Sequence, residues 1–106
     1  MPKRSMETLT ESMFYILMAF RTGAMCGIDV ADFIARRTEG RLRMGPATLY
    51  TVLAKFEAEK YIRQISSDGH KRVYCITEKG MAAYRAEVER LRRCLSDAEK
   101  GGLLYE

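Results

Sequence analysis

Eight consecutive apolar residues, from Met13 to Phe20, constrain the fold of this chain more than any other feature. Thr8 and Glu11 before them have the spacing of a capping box, and Thr10 is an alternative cap. These signals predict a helix that ends at about Thr22 and has no polar face. A helix of this kind must be covered on more than one side. We expect one side to pack on the chain's own core and another side to pack on a second chain.

A further helix start stands at Gly45-Pro46, because proline suits the first helical position, where its φ is already set and no N–H is missed. The apolar residues that follow recur at the spacing of one helix face: Leu49, Val52, Leu53 and Phe56. The opposite face is short, hydroxylated or basic: Ala47, Thr48, Thr51, Lys55 and, at its edge, Tyr50. Such a face suits the DNA major groove, since it neither blocks approach nor repels phosphate. An ordinary amphipathic helix with a solvated face is the alternative interpretation.

The segments around this helix have simpler patterns. Residues 27–37 predict a helix with an apolar stripe of Val30, Phe33 and Ile34, and the alternation in residues 41–44 predicts a short strand. Strand-like composition in residues 61–65 and 71–76 predicts a β-hairpin. We expect its turn at residues 66–69, which are Ser-Ser-Asp-Gly.

The last predicted helix follows Thr77, which suits its N-cap, and Gly101-Gly102 is expected to end it. Its apolar residues alternate at spacings of three and four, as in a coiled-coil seam: Met81, Tyr84, Val88, Leu91, Leu95 and Ala98. A seam of this length favours pairing with another helix, although an isolated surface helix can show the same pattern.

Together these elements predict a mainly α fold with a small β-hairpin, a winged helix-turn-helix plus a long C-terminal helix. The winged helix-turn-helix is expected in residues 1–78, and the dimerisation helix and tail in residues 79–106, as one compact unit. In this architecture the third helix enters the major groove, and the hairpin wing lies beside it on phosphate or in the minor groove.

The net charge of +4 is unevenly distributed along the 106 residues. Residues 36–79 hold ten basic and five acidic side chains, a net charge of +5, whereas residues 1–35 carry −1 and residues 80–106 carry zero. A localised basic region is typical of nucleic-acid binders. No apolar run reaches the length of a membrane span and no signal-peptide pattern is present, so we expect a cytoplasmic protein. Three widely spaced cysteines are expected to be reduced thiols there.

Signals for an enzyme or a metal site are missing from the sequence. His70 is the only histidine, no cysteine pair has metal-ligand spacing, and no Gly-rich phosphate loop occurs. We therefore expect no catalytic residues, no metal and no cofactor, and we place His70 at the tip of the wing.

The chain resembles the PadR-like transcriptional regulators, in particular the small subtype with one C-terminal helix. The resemblance covers residues 8–95. Four segments carry it: 9–20 (LTESMFYILMAF), 45–50 (GPATLY), 56–62 (FEAEKYI) and 71–80 (KRVYCITEKG). The chain departs from the usual family pattern in having Ala47 where a glycine is common and Cys26-Gly27-Ile28 where His-Gly-Tyr is common. It also has no tryptophan to serve as an aromatic ligand platform.

The resemblance implies a dimeric repressor that binds double-stranded DNA through its third helix and wing. It also implies a C-terminal helix that dimerises against the first helix of the partner. In some relatives a small aromatic or phenolic compound, or a drug, releases the protein from DNA, so a small aromatic or hydrophobic effector is expected.

Three groups of site residues follow. The DNA-binding candidates are Arg43, Thr48, Tyr50, Thr51, Lys55, Arg63, His70, Lys71 and Arg72. The dimer-interface candidates are Leu9, Phe14, Met18, Met81, Tyr84, Val88, Leu91 and Leu95. The effector candidates are Phe14, Tyr15, Met18 and Tyr84. The alternative function is a winged-helix protein–protein interaction or dimerisation module without specific DNA binding, against which the basic residues of the middle segment argue.

Overall fold

The computed structural model describes residues 8–69 and 71–104, and this part of the chain contains four helices and a two-stranded antiparallel sheet. The helices are α1 (Glu11–Thr22), α2 (Gly27–Arg37), α3 (Pro46–Ala58) and α4 (Glu78–Leu104). The strands are β1 (Ile62–Asp68) and β2 (Lys71–Ile76). The order of these elements is the predicted order, without the short strand between α2 and α3.

The core lies between α1, α2, α3 and the base of the hairpin. Its largest fully buried side chains are Phe20, Phe56, Ile16, Leu17, Ile34, Leu53, Ile62 and Val30. Burial of each such side chain stabilises the fold by about 1.5–3 kcal/mol. The predicted stripe of α3 is buried throughout, and the second and third helices begin where the sequence predicts, at Gly27 and Pro46.

The start of α1 differs from the preferred prediction. Thr10, the alternative, is the N-cap: its side-chain oxygen accepts a hydrogen bond from the backbone N–H of Met13 at 3.2 Å. Thr8 lies two residues too early, because the helix begins only at Glu11. A cap must directly precede the first helical residue to reach the N–H groups of the first turn.

The strand predicted at residues 41–44 is wrong, because these residues form a bend and a loop. The Thr38 hydroxyl donates to the Ile34 carbonyl oxygen at 2.8 Å and accepts from the Leu42 N–H at 3.1 Å. Glu39 and Gly40 have φ of 53° and 81°, in the left-handed region, which turns the chain sharply after α2. The alternation of polar and apolar residues arises because Leu42 and Met44, both half-buried, pack on the core.

The hairpin is longer than predicted and its turn is shorter. Ser66 and Ser67 belong to β1, where they pair with Val73 and Arg72 of β2. The register shifts between Gln64 and Ser66, which leaves one residue of β1 as a bulge. The turn predicted at residues 66–69 is therefore wrong: the serines have turn-forming composition, but the bulge brings them into register with β2.

A β-bridge outside the hairpin connects the wing to the helices. The backbone N–H of Met25 donates to the Tyr74 carbonyl oxygen at 3.1 Å, and the Tyr74 N–H donates to the Met25 carbonyl oxygen at 3.0 Å. Met25 lies in the connection between α1 and α2, so β2 is held next to the start of α2.

The last helix begins as predicted and ends later. The Thr77 hydroxyl accepts from the Gly80 N–H at 3.0 Å, as expected of a cap, and donates to the Lys60 carbonyl oxygen at 2.7 Å. The predicted stop at Gly101 and Gly102 is wrong, because α4 continues to Leu104. Glycine ends a helix when it adopts a left-handed conformation; otherwise it only lowers the stability of the helix by about 1 kcal/mol.

Candidate nucleic-acid interface

The exposed face of α3 is the first candidate surface. Its residues Thr48, Thr51 and Lys55 are exposed, and 51% of the Tyr50 surface is exposed to solvent. Gly45 caps the helix and Pro46 occupies its first turn, so α3 begins with no acidic side chain. The helix start carries a partial positive charge, which favours the approach of an anion such as phosphate.

A groove of about 450 Å³ lies where α2 and α3 begin beside β2. This wing groove is lined by Cys26, Gly27, Ile28, Tyr50, Lys71, Arg72 and Tyr74. It brings together three of the predicted DNA-binding residues, namely Tyr50 from α3 and the two cations from the wing.

The other DNA-binding candidates do not line the wing groove. Arg43, Thr48, Thr51, Lys55 and Arg63 are all exposed elsewhere on the surface. His70 lies outside the described residues. None of these assignments is tested by the geometry alone, and they stay predictions.

The start of α2 is the part of the groove that sequence reasoning missed. Cys26 is the N-cap residue and Gly27 the first residue of α2, and Ile28 is 60% exposed although it is apolar. The departure of residues 26–28 from the usual family pattern was the available signal. That signal did not say which surface the residues share, because their proximity to Tyr50 and the wing depends on the tertiary fold.

Tyr50 packs directly over Gly27. A β-carbon at position 27 would lie 2.8 Å from the Tyr50 hydroxyl oxygen and 2.9 Å from its Cε1 atom, closer than real β-carbons approach. Glycine at this position therefore makes room for the tyrosine ring. The ring lies against the start of α2, and Tyr50 lines the same groove as Lys71 and Arg72.

The cations of the candidate surface have no acidic partner among the residues that the structure describes. In the described part of the chain, no ion pair involves Arg43, Lys55, Arg63, Lys71 or Arg72. Unpaired cations keep their full charge available for phosphates, and each contact displaces counterions from DNA.

Arg41 differs from these cations because it binds within the chain. Its Nη1 atom donates to Glu11 Oε2 at 3.0 Å and its Nη2 atom donates to the Tyr15 hydroxyl oxygen at 3.1 Å. The hydrogen bond to Glu11 raises the pKa of Arg41, and the Glu11 charge adds to the effect. Arg41 is one of the basic residues that argued for a DNA-binding face in the sequence, and the structure places it against α1.

A second groove of about 410 Å³ lies between α1 and α4. This α1–α4 cleft is lined by Leu9, Thr10, Glu11, Phe14, Tyr15, Glu87, Arg90 and Leu91. Glu87 is buried, with 5% of its surface exposed, and the Arg90 Nε atom donates to its Oε1 atom at 3.1 Å. The cleft therefore has aromatic and aliphatic walls, and the ion pair between Glu87 and Arg90 also lines it.

The effector candidates divide between different surfaces. Phe14 and Tyr15 line the cleft, and Tyr84 stacks on Phe14 with ring centroids 5.3 Å apart and planes 10° apart. Tyr84 itself faces another groove, beside Arg21, whose guanidinium lies 5.5 Å from the ring centroid. Met18 lines neither groove, and its sulfur accepts from Arg37 Nη1 at 3.8 Å.

The dimer candidates show a gradient of exposure along α4. Met81, Tyr84 and Val88 are half-buried against the protomer, Leu91 is 39% exposed and Leu95 is 60% exposed. Every residue from 91 to 100 is exposed, so this part of α4 has no cover from residues 8–69 and 71–104. Leu9, in contrast, is buried in the protomer's own core, with 7% of its surface exposed.

Comparison with known proteins identifies the family. The model of the transcriptional regulator PadR-like family matches residues 16–86, from α1 into α4. This chain belongs to the PadR-like family of transcriptional regulators. The predicted family, fold and regulatory class are thereby confirmed.

Solved PadR-like structures and other regulators share the fold. A transcriptional regulator from Clostridium thermocellum, Cth-833, has a TM-score of 0.75 and 21% sequence identity, over 88% of this chain and 97% of that one. Bacillus subtilis PadR in complex with operator DNA has a TM-score of 0.66 and 19% identity, over 74% of this chain and 47% of that one. Bordetella bronchiseptica BpsR, whose DNA binding is regulated by 6-hydroxynicotinic acid, has a TM-score of 0.68 and 23% identity, over 93% of this chain and 72% of that one.

One curated relative matches by sequence. It is an uncharacterised 37.1-kDa protein in transposon TN4556 of Streptomyces fradiae, 28% identical over 83 residues, which are 78% of this PadR-like chain. The chain spans 24% of the length of that relative. The similarity therefore concerns one part of a much longer protein.

In residues 8–69 and 71–104 no helix is both long and apolar enough to cross a bilayer. In the same ranges no group of three or more histidine, cysteine, aspartate or glutamate residues is placed to hold a metal ion. The cysteines are free thiols: Cys26 is buried, Cys75 half-buried and Cys94 exposed.

Proposed function

We propose that this PadR-like protein is a homodimeric repressor that binds double-stranded operator DNA through α3 and the wing. The wing groove is the observation that supports the proposal most strongly. It unites Tyr50 at the start of α3 with Lys71 and Arg72 of β2, and neither cation has an ion-pair partner among the described residues. A helix and a basic hairpin that share one surface can contact base edges and phosphates together.

The dimer is proposed on the exposed end of α4. Leu91 and Leu95 expose apolar surface on a helix that extends beyond the body of the protomer. Helix-turn-helix proteins commonly bind as two-fold dimers, because two reading heads then meet two half-sites of DNA. The partner would cover these leucines and the neighbouring part of α1, which the sequence predicts as an interface.

A small aromatic or hydrophobic effector is proposed for the α1–α4 cleft. Phe14 and Tyr15 offer aromatic walls there, and the buried Glu87 is already neutralised by Arg90. Flat apolar compounds suit such walls. The solved BpsR structure, in which 6-hydroxynicotinic acid regulates DNA binding, is a precedent on the same fold. The proposed place of action is the cytoplasm, where the three thiols would remain reduced.

The test is a binding titration with a fluorescently labelled duplex from upstream of the protein's own gene. We expect saturable binding that survives an excess of unlabelled random duplex of equal length. The alternative, an interaction module without specific DNA binding, predicts that the random duplex competes as well as the upstream duplex. Loss of all preference would overturn the proposed operator function and leave a dimerising module.

A further inference from the structure

Arg41 stands shortly before the start of α3 in the sequence. It lies in the connection between α2 and α3, four residues before Gly45, the cap of the proposed reading helix. The connection turns sharply at Glu39 and Gly40, both with positive φ. A contact made by Arg41 therefore restrains the connection between α2 and α3, and through it the position of α3.

Among the described residues, the side chain of Arg41 contacts α1. One guanidinium nitrogen donates to Glu11 at 3.0 Å and another to the Tyr15 hydroxyl at 3.1 Å, across sequence separations of 30 and 26 residues. The guanidinium carbon also lies 5.9 Å from the centroid of the Tyr15 ring. A planar guanidinium that meets a carboxylate and a phenol at once has a defined orientation, which a lone surface ion pair does not have.

The same two residues of α1 face the α1–α4 cleft. Glu11 and Tyr15 both line it. The Tyr15 ring meets Phe14 edge-on, with centroids 6.0 Å apart, and Phe14 stacks on Tyr84 of α4. A continuous set of contacts thus runs from α4 through Phe14 and Tyr15 to Arg41.

We propose that Arg41 is a positioning residue for DNA binding, which holds the α2–α3 connection against α1 through Glu11 and Tyr15 and so sets the placement of α3. The inference rests on the proposed operator function for its consequence, but the contact itself belongs to the free protein. An occupant of the cleft that binds Tyr15 or Glu11 competes with Arg41 and changes the affinity for the operator. In this way Arg41 couples the occupancy of the cleft to the position of α3.

The competing explanation is that Arg41 binds a DNA phosphate directly. The two roles differ in two measurable ways. A phosphate contact makes the affinity depend on salt, so its removal flattens the slope of log K against log salt by about 0.9. Removal of a positioning contact leaves this slope unchanged. It also means that a substitution of Tyr15 weakens DNA binding, although Tyr15 itself does not touch DNA.

The first experiment compares operator binding of Arg41→Gln, Tyr15→Phe and the double variant, with Arg36→Gln as control. Arg36 is an exposed arginine of α2 with no ion pair among the described residues, so its substitution removes the same charge alone. We expect each single substitution to weaken operator binding by about two- to fivefold. The double variant should be no weaker than the stronger single variant, at an unchanged salt slope. A flattened slope in Arg41→Gln with a silent Tyr15→Phe would overturn the proposal, as would equal losses in the Arg36→Gln control.

The second experiment needs no DNA, so its outcome is independent of the proposed function. Hydrogen–deuterium exchange of the free protein reports local opening of residues 38–48. We expect faster exchange in this segment for both Arg41→Gln and Tyr15→Phe, at a melting temperature close to that of the wild type, and no change for Arg36→Gln. Identical exchange in all four proteins would overturn the proposal even if the operator function is correct.

Discussion

Tyr50 at the start of α3 covers Gly27 at the start of α2 so closely that a β-carbon on the glycine would lie 2.8 Å from the tyrosine hydroxyl oxygen. This contact joins the proposed reading helix to the helix before it, and both residues line the wing groove. The glycine is thus required by the position of the tyrosine rather than by its own backbone, which is helical.

The first prediction concerns this pair. Gly27→Ala should displace the Tyr50 ring and weaken operator binding, whereas the stability of the helix should hold, because alanine is the better helix former. Tyr50→Phe should keep the ring in place and lose one hydrogen bond, about 1 kcal/mol or roughly fivefold in affinity. Fluorescence anisotropy and thermal unfolding of both variants provide the measurement. Wild-type affinity in Gly27→Ala would remove Tyr50 from the DNA interface.

The second prediction concerns the dimer. Leu91→Asp places a charge on the exposed seam of α4 and should give a monomer at micromolar concentration, because burial of an unpaired carboxylate is costly. Ser96→Asp is the matched control, since Ser96 is exposed on the same helix but lies off the seam. Sedimentation velocity distinguishes the species. A monomeric wild type, or equal behaviour of the two variants, would contradict the proposed interface.

The third prediction concerns the junction between wing and α4. A β-carbon at Gly80 would overlap the backbone carbonyl oxygen of Tyr61 and crowd the Ile76 side chain. Gly80→Ala should therefore destabilise the protein by about 1–3 kcal/mol, the usual result of overpacking. Chemical denaturation measures the change, and Ala82→Ser at an exposed position of the same helix should be nearly neutral. An unchanged denaturation midpoint in Gly80→Ala would show that the junction can relax.

The fourth prediction concerns the α1–α4 cleft. A planar phenolic or polyaromatic compound that binds there should raise the melting temperature, because it stabilises only the folded protein, and should weaken operator binding. Phe14→Leu should reduce both effects, since it removes an aromatic wall and keeps the bulk. A panel of such compounds that changes neither quantity in the wild type would mean that these residues simply fill the dimer core.

The local signals in the sequence were sufficient for most helix starts and for the face of α3 that is buried. Gly45-Pro46 defines the start of α3 because proline and the helical φ agree at that position. The hairpin turn was misplaced because the bulge near Gln64 depends on pairing with β2, which composition does not contain. The helix end predicted at Gly101 was wrong because glycine allows a helix to end but does not force it to end.

The candidate site was predictable only in part. Lys71, Arg72 and Tyr50 were identified from charge and position, and the fold brings them to one groove. The contribution of Ile28 to the groove was missed because its proximity to Tyr50 and the wing depends on the tertiary fold. Arg41 was counted only among the basic residues of the middle segment, because sequence separations of 26 and 30 residues conceal its bonds to α1.

The central claim is that the wing groove binds the DNA backbone, and the salt dependence of operator affinity tests it most directly. The measurement compares the wild type with Lys71→Ala/Arg72→Ala and with a control, Arg36→Ala/Lys100→Ala, which removes two charges outside the groove. If both wing cations neutralise phosphates, the slope of log K against log salt should flatten by about 1.8 in the wing variant, and it should be unchanged in the control. Identical slopes in the wild type and the wing variant would contradict the claim.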